Sequence, residues 1–254
     1  MVTEPFVSIE GISQHVATVR LKRPPNNFFS FDMISSLADA LDSLDADDNC
    51  RCIVLAAEGK NFCAGADFSG NASPYSTTDL YNAAARLFRT NKPFVAAVIG
   101  AAIGGGLGLA LSADFRIASA DSKFSANFAQ LGFHHGFGLT VTLPRLVGEQ
   151  KTAELLFTGR RINGTEAHAI GLIDQLVPND EIESAAFALA SEIASSAPLA
   201  VESIRATLRK GIADQVAQAT QHEMAEQTRL KATADFTEGT TAVAERRPAN
   251  FQKK

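Results

Sequence analysis

The stretch at residues 98–114 constrains the fold most, because an apolar strand there runs into a triple glycine and then directly into an apolar helix. The glycines at 104–106 lack a Cβ atom, so another group can approach their backbone closely. The first N–H groups of a helix have no partner inside it, and together with the helix dipole they suit an oxygen that gains negative charge. The stretch therefore predicts an active-site turn, and close helix–sheet packing is the alternative interpretation.

Motifs and charge argue against nucleotides and nucleic acids as ligands. No G-x-G-x-x-G fits residues 100–111, and no Gly-Lys-Ser/Thr follows the glycine cluster, so dinucleotide and P-loop sites are disfavoured. The formal net charge is -5, and the 23 Lys and Arg residues are dispersed along the chain. We therefore expect no nucleic-acid partner.

The sequence carries no signal for a membrane, a leader or a disulfide framework. Residues 1–20 lack a charged segment followed by an apolar one, and no run approaches the roughly 18 apolar residues of a membrane span. We expect a cytoplasmic protein with no membrane partner. Cys50, Cys52 and Cys63 form neither a C-x-x-C pair nor an even set, so we expect reduced thiols. The acidic run at 45–48 is interpreted as a solvated helix end, and we expect no metal site.

Alternating and helical patterns predict an α/β core in the first half of the chain. Residues 6–10 and 15–22 alternate like two strands of a hairpin that turns around Gly11. Apolar spacing predicts a helix over 31–44. The strand–helix–strand alternation over 52–98 is typical of a core with parallel strand pairing.

In the second half of the chain, the pattern predicts an irregular segment at 127–147, and mostly helical spacing of apolar residues follows it. The last of these helices are rich in alanine and poor in large apolar residues. That composition favours packing against another chain, so we expect an oligomer. The predicted helices cover residues 151–156, 165–170, 181–194, 199–212 and 215–233.

Seven stretches together resemble one family and follow the order seen in the crotonase superfamily, to which enoyl-CoA hydratase and isomerase belong. The resemblance covers nearly the whole chain, and the agreement of all seven in order makes chance very improbable. The stretches are NFCAGAD at 61–67, KPFVAA at 92–97, GGG at 104–106 with AD at 113–114, LPRLVG at 143–148, LLFTGR at 155–160, AHAIGLI at 167–173, and EG at 238–239 with ERRPANF at 245–251.

The resemblance implies an α/β fold built as a spiral of β-β-α turns. A crotonase-like core over residues 1–195 would bind an acyl-CoA, and a helical region over 196–254 would make a homo-trimer or a dimer of trimers. Coenzyme A would be part of the substrate, so no separate cofactor is expected.

The resemblance also implies an oxyanion hole made of two backbone N–H groups, at Ala64 and Gly105. Their side chains are small because the backbone does the work, and losing one such donor typically costs roughly 10²- to 10³-fold in rate. The positions implied to contact the substrate are Ala66, Asp67, Tyr81, Gly104, Gly108, Phe128 and Gly136.

Two positions depart from the hydratase pattern of this family. Hydratases use two glutamates as acid and base, and the matching residues here are Gly108 and Phe128. Positioned acid–base groups contribute on the order of 10²- to 10⁴-fold each, so hydration of a 2-enoyl-CoA should be slow. Double-bond isomerisation through an enolate is then the first hypothesis, with decarboxylation, hydrolysis or C–C cleavage as alternatives. The competing hypothesis is an acyl-CoA-binding homologue with little or no activity.

A replacement acid or base is predicted in the segment before residue 138. His135 is the first candidate, because a neutral imidazole near pH 7 can accept a proton, and a loop histidine bonded to backbone is the alternative. Tyr81 and Asp67 are further candidates, and loop capping is the alternative role for Asp67. His222 and Glu223 resemble the start of an H-E-x-x-H metal motif, but Glu226 stands where the second histidine belongs, so we interpret the segment as surface helix.

Overall fold

The structure is a computed structural model, and it describes residues 6–66 and 75–254. Its strands are β1 (Val7–Ser13), β2 (Val16–Leu21), β3 (Cys52–Ala57), β4 (Phe94–Val98), β5 (Ala101–Ile103), β6 (Phe115–Ala118), β7 (Lys123–Ser125), β8 (Ile162–Asn163) and β9 (Gln175–Leu176). Its α-helices are α1 (Phe31–Asp45), α2 (Thr77–Leu87), α3 (Gly105–Ser112), α4 (Leu139–Thr158), α5 (Gly164–Ala169), α6 (Ile182–Ala194), α7 (Pro198–Leu208), α8 (Ile212–Lys231) and α9 (Ala234–Glu245). Short 3₁₀ helices cover Ala129–Leu131 and Asn179–Glu181.

Two sheets make up the strand framework. The larger has six strands in the order β1-β2-β3-β4-β6-β9, and the smaller has the order β5-β7-β8. In the larger sheet β1 pairs antiparallel with β2, whereas β2, β3, β4, β6 and β9 pair in parallel. The predicted α/β core with parallel pairing is confirmed.

The first hairpin turns at a different place from the one predicted. The turn lies at Gln14 and His15, whose φ angles are 51° and 64°. Two consecutive positive φ angles suit the tight turn that joins antiparallel strands. Gly11, with φ 99°, lies where the β1–β2 register shifts between Ile9 and Ile12. The glycine therefore serves a β-bulge, and its prediction as the turn was wrong.

Helix α4 corrects the segment that was predicted to be irregular. It begins at Leu139 and continues to Thr158, with a kink at Gly148 where φ is 77° and ψ is 163°. Pro144 lies inside it. Proline and glycine are helix-breaking signals, so together they hid this helix from its sequence pattern. Helix α9 was also not predicted.

Alternate residues of the central strands face two separate apolar layers. In β3, Cys52, Val54 and Ala56 pack toward α6, whereas Ile53 and Leu55 pack into the main core with α1, α2 and α3. This is the period-two alternation of a strand buried on both faces.

The three cysteines are free and buried. Burial raises the pKa of the Cys52 and Cys63 thiols to about 12. These side chains are therefore neutral thiols near neutral pH, as inert core cysteines are.

The C-terminal helices are fastened to the core at Asp114, just after α3. Arg205 Nε donates to Asp114 Oδ2 at 2.8 Å, and Arg209 Nη1 donates to Asp114 Oδ1 at 3.1 Å. Helix α8 packs on α2 and α4. The predicted division at residue 195 falls in the break between α6 and α7, and its meaning as a domain boundary stays a prediction.

Within the described residues, no single helix is long and apolar enough to cross a membrane. The segments Asn179–Ala194 and Pro198–Leu208 meet the length and composition requirements only together, across a bend of 106°.

Candidate active site

A cavity of about 640 Å³ lies beside the glycine turn that begins α3. Its walls come from the loop before residue 66, from α2, from the β5–α3 turn, from the segment around Phe128 and from α8. Three cations line it, Lys123, Arg161 and Lys231. Among the lining residues in the described part of the chain there is no Asp, Glu or His. The cavity is therefore mostly apolar with positive charges among its lining residues, a setting that suits an anionic ligand with an apolar part.

The glycine turn is packed closely from two sides. A Cβ atom at Gly105 would lie 2.2 Å from Phe29 Cε1, and one at Gly106 would lie 2.0 Å from the Cys63 carbonyl oxygen. Gly104, the N-cap of α3, has φ 56° and offers no side-chain cap. The packing interpretation of these glycines is thus correct, and it is compatible with the active-site interpretation.

Gly105 also supplies an unused donor. It lines the cavity, and its N–H has no hydrogen-bond partner within residues 6–66 and 75–254. Because it opens α3, the positive end of the helix dipole lies at the same place. This donor suits an oxygen with negative charge.

The second donor is not at the alanine that the sequence indicated. The Ala64 N–H donates to the Asn26 carbonyl oxygen at 2.9 Å, so it is already occupied. The Ala66 N–H has no partner in the described chain, and Ala66 lines the cavity. Phe29 holds this loop through a bond from its N–H to the Gly65 carbonyl oxygen at 3.0 Å. Of these two N–H groups, only that of Ala66 is left to donate to a ligand, as far as the described residues show.

The structure brings most of the predicted site residues to one cavity. Asp67 lies outside the described residues, and Gly108, His135 and Gly136 do not line the cavity. Those that line it are Ala64, Ala66, Tyr81, Gly104, Gly105 and Phe128.

Gly108 is covered by an aromatic ring. A Cβ atom there would lie 2.6 Å from Phe137 Cβ and 2.9 Å from Phe137 Cγ. Phe137 is 1% exposed, has φ 61°, and packs edge-on against Phe29 with ring centroids 5.9 Å apart. A carboxylate at position 108 would have to displace this ring, so the surroundings of Gly108 are dry and apolar.

Phe128 gives the cavity a second apolar wall. It is buried and packs edge-on against Phe133, which also lines the cavity, with ring centroids 5.4 Å apart. Neither ring can hold a water molecule or transfer a proton. This wall therefore suits an apolar acyl group.

His135 does not line the cavity, and its ring contacts Thr140. The Thr140 hydroxyl donates to Glu223 Oε1 at 2.6 Å, so the His135 Nε2–H donates to Thr140 Oγ1 at 2.8 Å. Burial, followed by the nearby His134 and His222, lowers the pKa of His135 to about 4. The ring is neutral near pH 7 as expected, but the contacts give no support to its predicted role as the base.

Glu223 corrects the interpretation of its segment as surface helix. His222 is exposed, but Glu223 is fully buried. Its carboxylate accepts the backbone N–H of Gly138 at 2.9 Å and that of Thr140 at 3.1 Å. These N–H groups lie at the start of α4, so Glu223 caps that helix and compensates its dipole. No group of three possible metal-ligating side chains is found in the described chain.

Comparison with known proteins shows the family of the chain. A family model described as enoyl-CoA hydratase/isomerase matches residues 11–254. The chain belongs to this family. It is 34% identical to the crotonyl-CoA hydratase of Syntrophomonas wolfei over 249 residues, which cover 95% of this chain and 96% of that protein. It is 35% identical to a putative enoyl-CoA hydratase of Thermus thermophilus over 251 residues, which cover 93% and 97%.

Solved structures match over the whole chain. An enoyl-CoA hydratase/isomerase from Pseudoalteromonas atlantica T6c superposes with a TM-score of 0.88 at 27% identity, covering 97% of this chain and 100% of that one. The predicted crotonase-like α/β fold is thereby confirmed. Family membership supports an enzymatic function, and the family binds acyl-CoA thioesters.

Proposed function

We propose that this protein is an acyl-CoA enzyme that stabilises a thioester enolate and moves a double bond in preference to adding water. The observation that carries the proposal is a pair of N–H groups, at Ala66 and Gly105, that have no partner among the described residues and belong to the wall of one apolar cavity. Donors fixed where negative charge develops bind the transition state more strongly than the ground state.

The proposed mechanism follows from these two donors. The thioester oxygen would accept the N–H groups of Ala66 and Gly105. Removal of a proton next to the carbonyl then places negative charge on that oxygen, and the dipole of α3 adds to its stabilisation. The released proton returns at another carbon, so the double bond shifts and the composition of the substrate is unchanged.

The character of the cavity favours isomerisation over hydration. Phe137 covers Gly108, and Phe128 forms a wall of the cavity, so both positions that the resemblance matches to hydratase glutamates are apolar. Hydration requires a water held by acid–base groups, whereas isomerisation requires a single group that carries one proton. Of the sequence-predicted carriers, Asp67 follows Ala66 in the sequence, whereas Tyr81 lines the cavity but has a raised pKa, so it suits donating a proton and not removing one.

The charges at the cavity support coenzyme A as the carrier of the acyl group. Lys123, Arg161 and Lys231 line the cavity, and the Lys231 ammonium lies 5.6 Å from the centroid of the Phe133 ring. Coenzyme A presents phosphates, which such cations bind. A mostly apolar cavity with cations among its lining residues thus matches an acyl-CoA.

An acyl-CoA-binding homologue without efficient catalysis is the second candidate. It is favoured by the lack of any carboxylate or imidazole among the described residues that line the cavity. Such a protein would retain the two donors and the cations but would not turn over the ligand.

Product analysis distinguishes these functions. The protein is incubated with crotonyl-CoA and, separately, with 3-hexenoyl-CoA, and the products are followed by mass spectrometry and proton NMR. We expect the 3-enoyl substrate to become the 2-enoyl isomer without change of mass, and crotonyl-CoA to gain water only slowly. Hydration that is faster than isomerisation would contradict the isomerase proposal, and binding without any conversion would favour the second candidate.

We also propose that the protein assembles as a homo-trimer or a dimer of trimers. Large apolar side chains are exposed on α4 and α7, with Phe157 and Leu199 each 80% exposed and Leu208 71% exposed. Exposed apolar side chains of this size favour contact with further copies. Light scattering at micromolar concentration should give a trimer or hexamer mass, and a stable monomer would contradict the proposal.

A further inference from the structure

We infer that Tyr81 selects acyl groups that carry an oxygen of their own, in addition to the thioester oxygen, as hydrogen-bond acceptor. This inference rests on the proposed acyl-CoA function and narrows its substrate class to enoyl thioesters whose acyl group also carries a hydroxyl or oxo oxygen. It depends on where Tyr81 lies, on what surrounds its hydroxyl and on which of its hydrogen-bonding functions is unused.

Tyr81 belongs to the wall of the same cavity as the two backbone donors. It lies on α2, is 8% exposed, and lines the cavity together with Ala66 and Gly105. An acyl group whose carbonyl contacts those donors therefore shares the chamber with this phenol.

Two donor groups lie close to the oxygen of Tyr81. The Gln227 side-chain amide and the Phe137 backbone N–H both act to lower its pKa, as donors near a phenol oxygen do. Gln227 is 3% exposed and is itself held by a bond from Nε2 to the His134 carbonyl oxygen at 3.1 Å. One amide hydrogen is used there, and the other remains for Tyr81.

The backbone of the next loop fixes the hydroxyl in place. A Cβ atom at Gly136 would lie 1.9 Å from Tyr81 Oη and 2.6 Å from Gln227 Nε2. Glycine at 136 is therefore required for this close approach. The phenol, the amide and the loop form one packed unit, which is the kind of support that a selective hydrogen bond requires.

The remaining function of the hydroxyl is its proton. A phenol has one O–H donor, and no acceptor for that of Tyr81 is found within residues 6–66 and 75–254. Burial, followed by the negative charge of Glu223, raises the pKa of Tyr81, so the group stays protonated at neutral pH. The Tyr81 hydroxyl is thus a donor without an acceptor among the described residues, and it is a poor base.

Whether the Tyr81 O–H finds an acceptor depends on the bound acyl group. A saturated hydrocarbon acyl group would remove water from the cavity and leave the O–H unpaired, which costs binding energy. An acyl group with a hydroxyl or carbonyl oxygen within reach would accept the proton. The cavity should therefore prefer the oxygenated acyl group.

The test compares acyl-CoAs that differ only by one oxygen. Dissociation constants are measured by calorimetry for butyryl-CoA, 3-hydroxybutyryl-CoA and 4-hydroxybutyryl-CoA, with the wild-type protein and with Tyr81→Phe. We expect at least one hydroxy compound to bind the wild type about tenfold more tightly than butyryl-CoA, and Tyr81→Phe to reduce that preference below about twofold. The variant should bind butyryl-CoA at least as tightly as the wild type does, because no O–H is then left unpaired, whereas a merely structural defect would weaken this binding.

The other tyrosine provides the matched control. Tyr75→Phe removes a hydroxyl from a residue that does not line the cavity, and it should keep the full preference. Equal binding of all three compounds by the wild type, or a preference that survives in Tyr81→Phe, overturns the inference and leaves the acyl-CoA function standing. If none of the three compounds binds, the proposed function fails and the inference fails with it.

Discussion

Gly108→Ala is the substitution that most directly probes the closed wall over α3. The added methyl group would lie 2.6 Å from Phe137 Cβ, well inside contact distance. Overpacking of this kind costs about 1–3 kcal/mol, whereas replacing a helical glycine by alanine gains about 0.5–1 kcal/mol. The net effect is a loss of about 1–2 kcal/mol in the free energy of unfolding, because the clash outweighs the helix propensity.

The assay is thermal and urea unfolding at a fixed protein concentration, without ligand. For a chain of this size the loss corresponds to a decrease in Tm of about 2–8 °C. A Gly108→Ala variant as stable as the wild type would refute the reasoning.

A second background isolates the cause of the loss. Phe137→Gly removes both the ring and the Cβ atom that Gly108→Ala would meet. In that background Gly108→Ala should be neutral or stabilising, because only the helix propensity remains. An equal loss in both backgrounds would show that Phe137 is not the obstacle.

Two further predictions concern His135 and Glu223, which both contact residues at the start of α4. The pKa of His135 is lowered from 6.5 to about 4, so between these pH values the unfolded chain binds more protons than the folded one. The free energy of unfolding should therefore fall as the pH decreases from 6.5 to about 4. In a pH series of unfolding curves, His135→Gln should reduce this dependence. Glu223→Gln keeps an acceptor for Gly138 and Thr140 but removes the charge at the start of α4, so we expect a loss of about 1–2 kcal/mol in urea unfolding. An unchanged unfolding midpoint for Glu223→Gln would contradict the capping role.

The parts of the fold that local patterns specify were predictable from the sequence. The turn that leads into α3 was predictable, because glycines without side chains and the apolar residues around them are local signals in the sequence. The parallel core could be read from strand–helix–strand alternation. Helix α4 was missed because Pro144 and Gly148 lie inside it.

The parts of the site that depend on distant partners were not predictable in the same way. Ala64 and Ala66 look alike in the sequence, and only the bond from Ala64 to Asn26 shows which N–H is occupied. Glu223 lies beside the exposed His222, yet it is buried because the start of α4 packs onto it. The ring that covers Gly108 likewise belongs to Phe137, which lies outside α3 and far along the sequence.

The most direct test of the central claim is the infrared stretching frequency of the thioester carbonyl in the bound state. Butyryl-CoA labelled with ¹³C at the carbonyl is bound to the protein, and the isotope-edited difference spectrum isolates that group. Donation from the N–H groups of Ala66 and Gly105 should polarise the carbonyl and move its band to lower wavenumber than in solution, and Ala66→Pro, which removes one N–H, should reverse part of that displacement. A bound carbonyl whose band stays at its solution position would contradict the oxyanion site.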